Sequence, residues 1–180
     1  QRLLQAGARI LTSTAVVGWY QDHWLSAVCG ERLLKIRAGA VIVATGAFEA
    51  PAVFSGNDRP GILLGTAVQR LLHQYGVVPG QTAVVVTAND TGWAVAADLL
   101  AAGVQVSAIA DERTSLPTED NPSSDRSAVE AADVEVMLGA TIVAASGKGG
   151  VEQVILAPVA AETEASGRKV ACDFVALSTS

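Results

Sequence analysis

Short apolar runs, separated by glycines and charged turns, recur along the chain in two similar successions. The first succession contains the runs Gly7–Thr12, Thr14–Gly18, Trp24–Val28, Leu33–Arg37 and Ala40–Gly46. The second contains Asp133–Met137, Ala140–Ala144, Val151–Ala157, Lys169–Ala171 and Asp173–Thr179. Runs rich in β-branched residues between turn residues predict strands. Each succession therefore predicts a parallel strand, a small antiparallel meander and a last buried strand, a duplication that indicates two related domains.

The segment between the two successions begins with the spacing of a helix. Its apolar residues recur on one helical face within 61–75, and they are Leu64, Val68, Leu71, Leu72 and Tyr75. Gly76 and the pair Pro79-Gly80 predict that this helix has ended before residue 80.

A βαβ unit follows this helix. It consists of a strand at Thr82–Thr87, an Ala-rich helix at Gly92–Ala102 and a second strand at Val104–Ile109. Two strands joined through a helix of this length are expected to be parallel. Residues 111–126 are polar and predict a surface loop, and a short helix is expected around Ser127–Ala132.

These elements predict an α/β protein with a Rossmann-like, three-layer fold of the FAD/NAD(P)-binding kind. We expect residues 1–60 to be the C-terminal part of a first dinucleotide-binding domain and 61–80 a connecting helix. Residues 81–180 are then a second, NAD-type domain, nearly complete and truncated at its last strand. The chain opens on Gln1 in the middle of a pattern, which indicates a piece of a longer protein.

Composition narrows the class of protein further. Hydrophobic residues make up 50% of the chain and charged residues 17%, so a sizeable core is expected. The net charge of −6 argues against a nucleic-acid partner, because phosphate binding needs a basic surface. No apolar run reaches the roughly 18–20 residues of a membrane span. Cys29 and Cys172 lie too far apart for a CxxC redox pair, so a reduced, cytoplasmic protein is expected.

The turn between the first strand and the helix of the βαβ unit is a candidate site for a dinucleotide. A pyrophosphate would rest there on free helix amides, usually within the motif G-x-G-x-x-G. This chain has Thr87-Ala88-Asn89-Asp90-Thr91-Gly92, which keeps the third glycine alone. Asn89 tolerates a left-handed backbone better than most residues. We name Thr87, Asn89, Asp90, Thr91 and Gly92 as candidate cofactor-binding residues. The alternative is a Rossmann-like fold whose nucleotide site is weakened or lost.

Two further positions are candidates for cofactor binding. Asp111 ends the second strand about 20 residues beyond Gly92, where a carboxylate commonly binds the ribose of NAD and repels the extra phosphate of NADP. Ala44-Thr45-Gly46 ends the last strand of the first succession, where ligands approach the carboxyl end of a sheet. A strand that merely ends in a small-residue turn is the alternative.

No residue of the chain is assigned a catalytic or metal-binding role from the sequence. His23 and His73 are expected at the surface, and the three tryptophans are expected to pack rather than to enclose a cofactor. Cys172 lies in a predicted strand and is expected to be inert, whereas Cys29 lies near a turn.

Longer motifs resemble the alpha subunits of heterotetrameric sarcosine oxidases over essentially the whole chain. The matching stretches are Val41–Ala47, Asn57–Gly61, Tyr75–Val77 and Val84–Gly92. Asn57–Gly61 and the unusual turn before Gly92 are the specific parts, because Ala44-Thr45-Gly46 is common among flavoprotein reductases. Thioredoxin-type reductases carry a CxxC just before the second βαβ unit, a place taken here by a helix at Gly65–Tyr75 without cysteine.

The resemblance implies an oxidoreductase subunit with the two-domain plan of thioredoxin reductase. Such a subunit holds NAD or FAD, with FAD in a first domain that lies mostly outside this chain. It assembles with other subunits of a hetero-oligomeric enzyme, and amine oxidation takes place at a flavin on a partner. Related alpha-type subunits occur in amino-acid and opine dehydrogenases. An assembly module without a working nucleotide site is an alternative. A free NAD(P)H:flavin reductase is a third, and the missing glycines count against it.

Overall fold

The computed structural model describes residues 5–46, 48–116, 123–161 and 167–179. Backbone contacts divide the chain into two compact units, Gln1–Ala47 and Phe48–Ser180. The first unit ends at residue 47, whereas the sequence predicted a domain boundary at residue 60. The position of that domain boundary stays a prediction. Within the described ranges, no helix is long and apolar enough to cross a membrane.

The first unit contains an antiparallel meander of three strands. These strands are β1 (Thr14–Tyr20), β2 (Trp24–Cys29) and β3 (Arg32–Arg37), paired in the order β1-β2-β3. A short 3-10 turn at Gln21–His23 joins the first two. The meander predicted for the first succession is therefore present.

The strand expected at Ala40–Gly46 is absent, and this prediction was wrong. Residues 41–46 have no regular secondary structure, and Ile42 and Val43 are 93% and 61% exposed. Gly7–Thr12 forms no strand either. A strand needs a neighbour to satisfy its backbone hydrogen bonds. Among residues 5–46, the one sheet is the meander, and neither segment is paired with it.

The second unit is built on a five-stranded parallel sheet. Its strands are β4 (Ile62–Leu64), β5 (Thr82–Thr87), β6 (Gln105–Asp111), β7 (Val136–Leu138) and β11 (Phe174–Ser178). They lie in the order β4-β11-β5-β6-β7. Every residue of β11 is buried, because the strand is hydrogen-bonded on both sides and covered on both faces. β4 was not expected, since its three residues fell within the apolar run assigned to the following helix.

Three helices cover one face of this sheet. They are α1 (Gly65–Tyr75), α2 (Asp90–Ala101) and α3 (Ser124–Ala131). Val95 and Leu99 of α2 and Val129 of α3 pack with Val85 and Ile109 of the sheet. Gly76, at a φ of 63°, ends α1 in the left-handed conformation, as its position predicted. α3 begins three residues earlier than expected, and residues 117–122 of the predicted polar loop lie outside the described residues.

A second antiparallel meander covers the other face of the sheet. Its strands are β8 (Ala140–Ser146), β9 (Gln153–Pro158) and β10 (Arg168–Ala171), paired in that order. Ile142, Val154 and Leu156 pack against Val84 and Val86, the residues of β5 that alternate with those facing the helices. Helices, sheet and meander form three layers, which confirms the predicted fold class. The parallel strand, meander and last buried strand predicted for the second succession are all present.

Candidate dinucleotide site

The carboxyl ends of β5 and β11 form the topological switch point of the sheet. The chain leaves β5 through α2 toward β6, whereas β11 lies on the opposite side of β5. Open α/β sheets bind ligands in the crevice at such a point. Thr87 and Ser178 end the two strands, and the Thr87 hydroxyl donates a 3.0 Å hydrogen bond to the Ser178 carbonyl. This edge of the sheet is therefore the place to look for a ligand.

Asn89 caps the first turn of α2 at this edge. Its side-chain oxygen accepts a hydrogen bond of 2.9 Å from the Thr91 amide. The Asn89 φ is −153°, so its backbone is extended. Asn89 therefore does not adopt the left-handed backbone that its residue type would tolerate. An extended backbone at the N-cap instead places its side chain over the helix amides.

The backbone amides of this turn have partners within the protein. The Ala88 amide donates to the Ser178 carbonyl at 3.1 Å, and the Asn89 amide donates to the Thr87 hydroxyl at 3.1 Å. Together with the Thr91 amide, these are groups that a bound pyrophosphate would use in a glycine-rich turn. A phosphate could bind them only after these internal hydrogen bonds had been broken.

Gly92 has a packing role between α2 and β5. A Cβ atom at Gly92 would overlap the Cβ and hydroxyl of Thr87. Close packing of helix on strand is the role of the third glycine in the dinucleotide motif. The turn has thus kept the glycine that serves packing, whereas side chains stand at the two positions that serve phosphate.

Asp111 is fully buried, with 0% of its surface exposed. It accepts hydrogen bonds from the Trp93 indole at 2.9 Å, the Arg113 amide at 3.0 Å and the Arg113 guanidinium at 2.8 Å. Burial by itself raises the pKa of Asp111, but the hydrogen bonds from Arg113 and Trp93 outweigh it and hold the pKa below its usual 3.8. Asp111, the candidate ribose-binding carboxylate, therefore points toward α2 and is hydrogen-bonded within the protein.

Arg113, which the sequence reasoning missed, joins Asp111 to the start of α2. Its guanidinium donates to the Asp90 carboxylate at 2.7 Å as well as to Asp111. The hydrogen bond to Asp111 and then that to Asp90 raise the pKa of Arg113 above its ordinary value. Asp90 is 77% exposed, so its carboxylate stands at the open end of the helix. The helix side of this edge is therefore filled by the protein's own charges.

The candidate residues Ala44, Thr45 and Gly46 lie in the first unit. All three are exposed and outside any strand, and Gly46 has a φ of +78°. The structure therefore brings Thr87, Asn89, Asp90, Thr91, Gly92 and Asp111 together at one edge of the second unit. It does not form the strand end that was expected for Ala44-Thr45-Gly46.

A crevice of about 530 Å³ opens at the same edge of the sheet, on the side of the second meander. Glu112 and Thr179, which follow β6 and β11, line it together with Thr141 of β8. The Thr141 hydroxyl donates a 2.7 Å hydrogen bond to the Glu112 carboxylate. Side chains alternate along a strand, so adjacent Asp111 and Glu112 point to opposite faces. That alternation was the available signal for Glu112, which the sequence reasoning passed over.

The loop Asn57–Gly61, one of the specific motifs, is fixed to β8. The Arg59 side chain donates to the carbonyl of Ala145 at 3.1 Å and to that of Gly147 at 2.7 Å. Gly61 has a φ of +98°, and a Cβ there would meet the carbonyl of Asp173. The presence of arginine at 59 and of glycine at 61 is therefore explained by these contacts within the second unit.

The two histidines and Cys172 have the environments that the sequence predicted, whereas of the three tryptophans that were expected to pack, Trp19 and Trp24 are 56% and 39% exposed. His23 is exposed, and His73 lies at the surface with its Nε2 atom 2.9 Å from an Asp98 carboxylate oxygen. Trp93 is buried in the helix-side core. Burial, and after it the nearby Asp173, raises the pKa of Cys172 to about 12, so its thiol is unreactive at neutral pH.

A parallel sheet with its βαβ turn, a covering meander and an edge crevice defines a Rossmann-type oxidoreductase domain of the FAD/NAD-binding class. The chain belongs to the pyridine nucleotide-disulphide oxidoreductase family, whose model matches residues 2–179. That family implies binding of a flavin, a nicotinamide dinucleotide or both.

Curated relatives agree with the resemblance seen in the sequence. The chain is 43% identical over 119 residues to sarcosine oxidase subunit alpha of Rhizobium meliloti (strain 1021), covering 58% of this chain and 12% of that protein. It is 40% identical over 171 residues to the subunit of the same name from Corynebacterium sp. (strain P-1), covering 86% and 17%. The chain thus spans less than a fifth of these relatives.

Solved structures share the fold at low sequence identity. Thioredoxin reductase of T. acidophilum superposes with a TM-score of 0.65 at 14% identity, covering 93% of this chain and 52% of that one. An NAD-dependent persulfide reductase from A. fulgidus gives 0.60 at 15% identity, covering 99% and 32%. At these identities the likeness shows a shared fold alone.

Proposed function

We propose that this chain is part of an oxidoreductase subunit that holds a dinucleotide, NAD or FAD, and scaffolds a multi-subunit enzyme. The observation that carries the proposal is the switch-point edge between β5 and β11, where Thr87 and Ser178 end adjacent parallel strands. Membership of a nucleotide-dependent family supports it. We also propose a cytoplasmic location, because both cysteines are free thiols.

The reaction of the assembled enzyme is proposed to be oxidation of a CH–NH donor at a flavin on a partner subunit. Support comes from two relatives named as alpha subunits of sarcosine oxidase, sarcosine being a secondary amine. A related amino-acid or opine dehydrogenase is the neighbouring possibility. In this arrangement the present chain contributes dinucleotide binding and assembly rather than a bond-breaking side chain.

Anaerobic addition of an amine to the assembled complex tests this division of labour. Sarcosine should bleach the flavin absorbance of the complex, and the flavin so reduced should remain with the partner subunit after the subunits are separated. The full-length subunit that contains this chain should show no amine-dependent bleaching by itself. Amine-dependent reduction by the subunit alone would contradict the proposal.

A second candidate function is an assembly module whose nucleotide site in the second unit is vestigial. The engaged amides of Ala88, Asn89 and Thr91 favour it, because a pyrophosphate could bind these three amides only after their internal hydrogen bonds had been broken. Asn89→Ala discriminates between the two, with the cap variant Ser123→Ala of α3 as the matched control. Both should lose about 1 kcal/mol of stability. A change in NAD affinity for Asn89→Ala alone, in either direction, would show that the turn holds the nucleotide.

A further inference from the structure

The two antiparallel meanders can be compared position by position, because their strands pair in the same way. The first strand of each has one irregularity in register, between Val16 and Gly18 in β1 and between Ile142 and Ala144 in β8. Aligning these irregularities matches β2 with β9 and β3 with β10. The second meander therefore shows which residues this architecture carries at the same positions in another place.

A row of three directly paired residues crosses the first meander next to the turn at 21–23. It consists of Tyr20 in β1, Trp24 in β2 and Arg37 in β3. The Arg37 guanidinium lies over the Trp24 ring, 5.9 Å from its centroid. Tyr20 and Trp24 are 62% and 39% exposed. Tyrosine, tryptophan and arginine are the residue types most enriched at the energetic centres of protein–protein interfaces.

The equivalent row of the second meander has neither an aromatic nor a charged residue. It consists of Ser146, Gln153 and Ala171. A meander with this pairing therefore forms without large side chains in that row. The aromatic row of the first meander is not explained by the fold, and binding of a partner is the other common reason for exposed aromatic residues to lie together.

A groove of about 590 Å³ opens on the same face of the first meander. Leu33, which is 61% exposed, and the small Ser26 line it together with Tyr20, Trp24 and Lys35. The Tyr20 ring lies against Gly18, where a Cβ atom would overlap the ring, so this aromatic wall is held on the sheet. The groove can receive an apolar side chain. Its lining residues Tyr20, Trp24, Leu33 and Lys35 form, with Arg37, the aromatic face of the first meander.

The aromatic face is basic within an acidic chain. Lys35 and Arg37 belong to it, and one carboxylate, Asp22, lies at the turn end of the groove. Among the described residues, neither Lys35 nor Arg37 has an ion-pair partner. Gln1–Ala47 contains five lysines and arginines against two carboxylates, whereas Phe48–Ser180 contains seven against 16. The face is therefore complementary to an apolar and acidic partner surface. Symmetric contact between two copies of the face would bring like charges together.

We propose that the aromatic face is a docking surface for another subunit of the hetero-oligomeric enzyme. That subunit places an apolar side chain in the groove and carboxylates beside Lys35 and Arg37. Tyr20 and Trp24 are the anchors, because large rigid side chains bury much area for little loss of conformational entropy. This inference rests on the assembly role in the proposed function and assigns that role to a surface.

Sedimentation velocity of the full-length subunit, mixed with the separately purified other subunits of its complex, tests the role of charge. Lys35→Glu should weaken assembly by about tenfold or more, because repulsion replaces attraction at the acidic partner. Lys169→Glu is the matched control, since Lys169 is exposed at the equivalent position of the second meander. It should leave assembly unchanged. Melting curves of each variant verify that it is folded.

Leu33→Ser tests the apolar part of the same surface without a change of charge. Leu33 is largely exposed, so its removal should leave the melting temperature nearly unchanged. Assembly should weaken by about tenfold, because a buried leucine contact with the partner is lost.

Hydroxyl-radical footprinting of Tyr20 and Trp24 tests the proposal without any variant. Both side chains should react in the isolated full-length subunit and should be protected in the assembled complex. Protection in the isolated monomeric subunit would show that its own chain covers the face, and protection on self-association would identify a second copy. Either result overturns the proposal.

The remaining outcomes separate this inference from the proposed function. If the complex assembles without protecting Tyr20 and Trp24, or if both variants assemble as wild type does, the docking surface is overturned and the proposed function stands. An equal effect of Lys169→Glu also overturns it. If the wild-type full-length subunit binds none of the other subunits, the proposed assembly role fails together with this inference.

Discussion

The indole N–H of Trp93 donates a 2.9 Å hydrogen bond to the carboxylate of Asp111, which joins α2 to the end of β6 inside the protein. Both residues are buried, Trp93 at 3% and Asp111 at 0% exposure. A buried carboxylate is tolerated when donors satisfy it, and Arg113 supplies the others. The residue at the usual ribose position is therefore a structural anchor of the turn.

Asp111→Asn should lower the free energy of unfolding by about 2–3 kcal/mol at pH 7, because charge-assisted hydrogen bonds are lost and Arg113 keeps its charge. The folded pKa of Asp111 lies below its usual 3.8, so the ionised group stabilises the fold above that value. The difference between wild type and variant should shrink as the pH falls below about 4.

Urea unfolding at pH 7, 5 and 3.5 measures this difference, with Glu130→Gln as an exposed control that changes little. A variant as stable as wild type at pH 7 would contradict the anchoring role of Asp111.

Gly92→Ala should destabilise the second unit by about 1–3 kcal/mol, since the added methyl overlaps the Thr87 side chain. Gly149→Ala is the control, because a Cβ at Gly149 meets nothing within 4 Å. Thermal melting of both variants compares the two positions. Equal melting temperatures would mean that α2 and β5 are not packed as closely as the structure shows.

Cys172 should react with iodoacetamide at pH 8 at least about a hundredfold more slowly in the native protein than after unfolding, because burial suppresses its thiolate. Cys29 is half-buried and should be labelled first. Mass spectrometry of timed, quenched samples identifies the modified residue. Rapid native labelling of Cys172 would show that β10 and β11 open readily around it.

The apolar pattern correctly predicted the strands whose pairing partners lie within the second unit. Val84 and Val86 alternate with Ala83 and Val85 between two buried faces, and the continuous apolar run of β5 reflects that double coverage. The run at Ala40–Gly46 is similarly rich in alanine and β-branched residues and forms no strand. Composition reports a preference for burial, whereas a strand also requires a paired neighbour, which no local pattern reveals.

The site was predictable in position and not in its contacts. The place of the turn and of the carboxylate at the end of β6 followed from the βαβ pattern. The surroundings of Asp111 did not, because they depend on Trp93 and Arg113 reaching its carboxylate inside the protein. Likewise, the internal capping by Asn89 decides whether the amides of the turn are free, and a motif alone cannot show this.

Calorimetric titration of the full-length subunit with NAD and with FAD tests the dinucleotide proposal most directly. We expect saturable binding of NAD, of FAD or of both, with one site for each bound dinucleotide per full-length subunit. The isolated 180-residue chain should bind more weakly than micromolar, because the turn at Thr87–Gly92 offers few free phosphate donors. A folded full-length subunit that binds neither dinucleotide would contradict the proposed function.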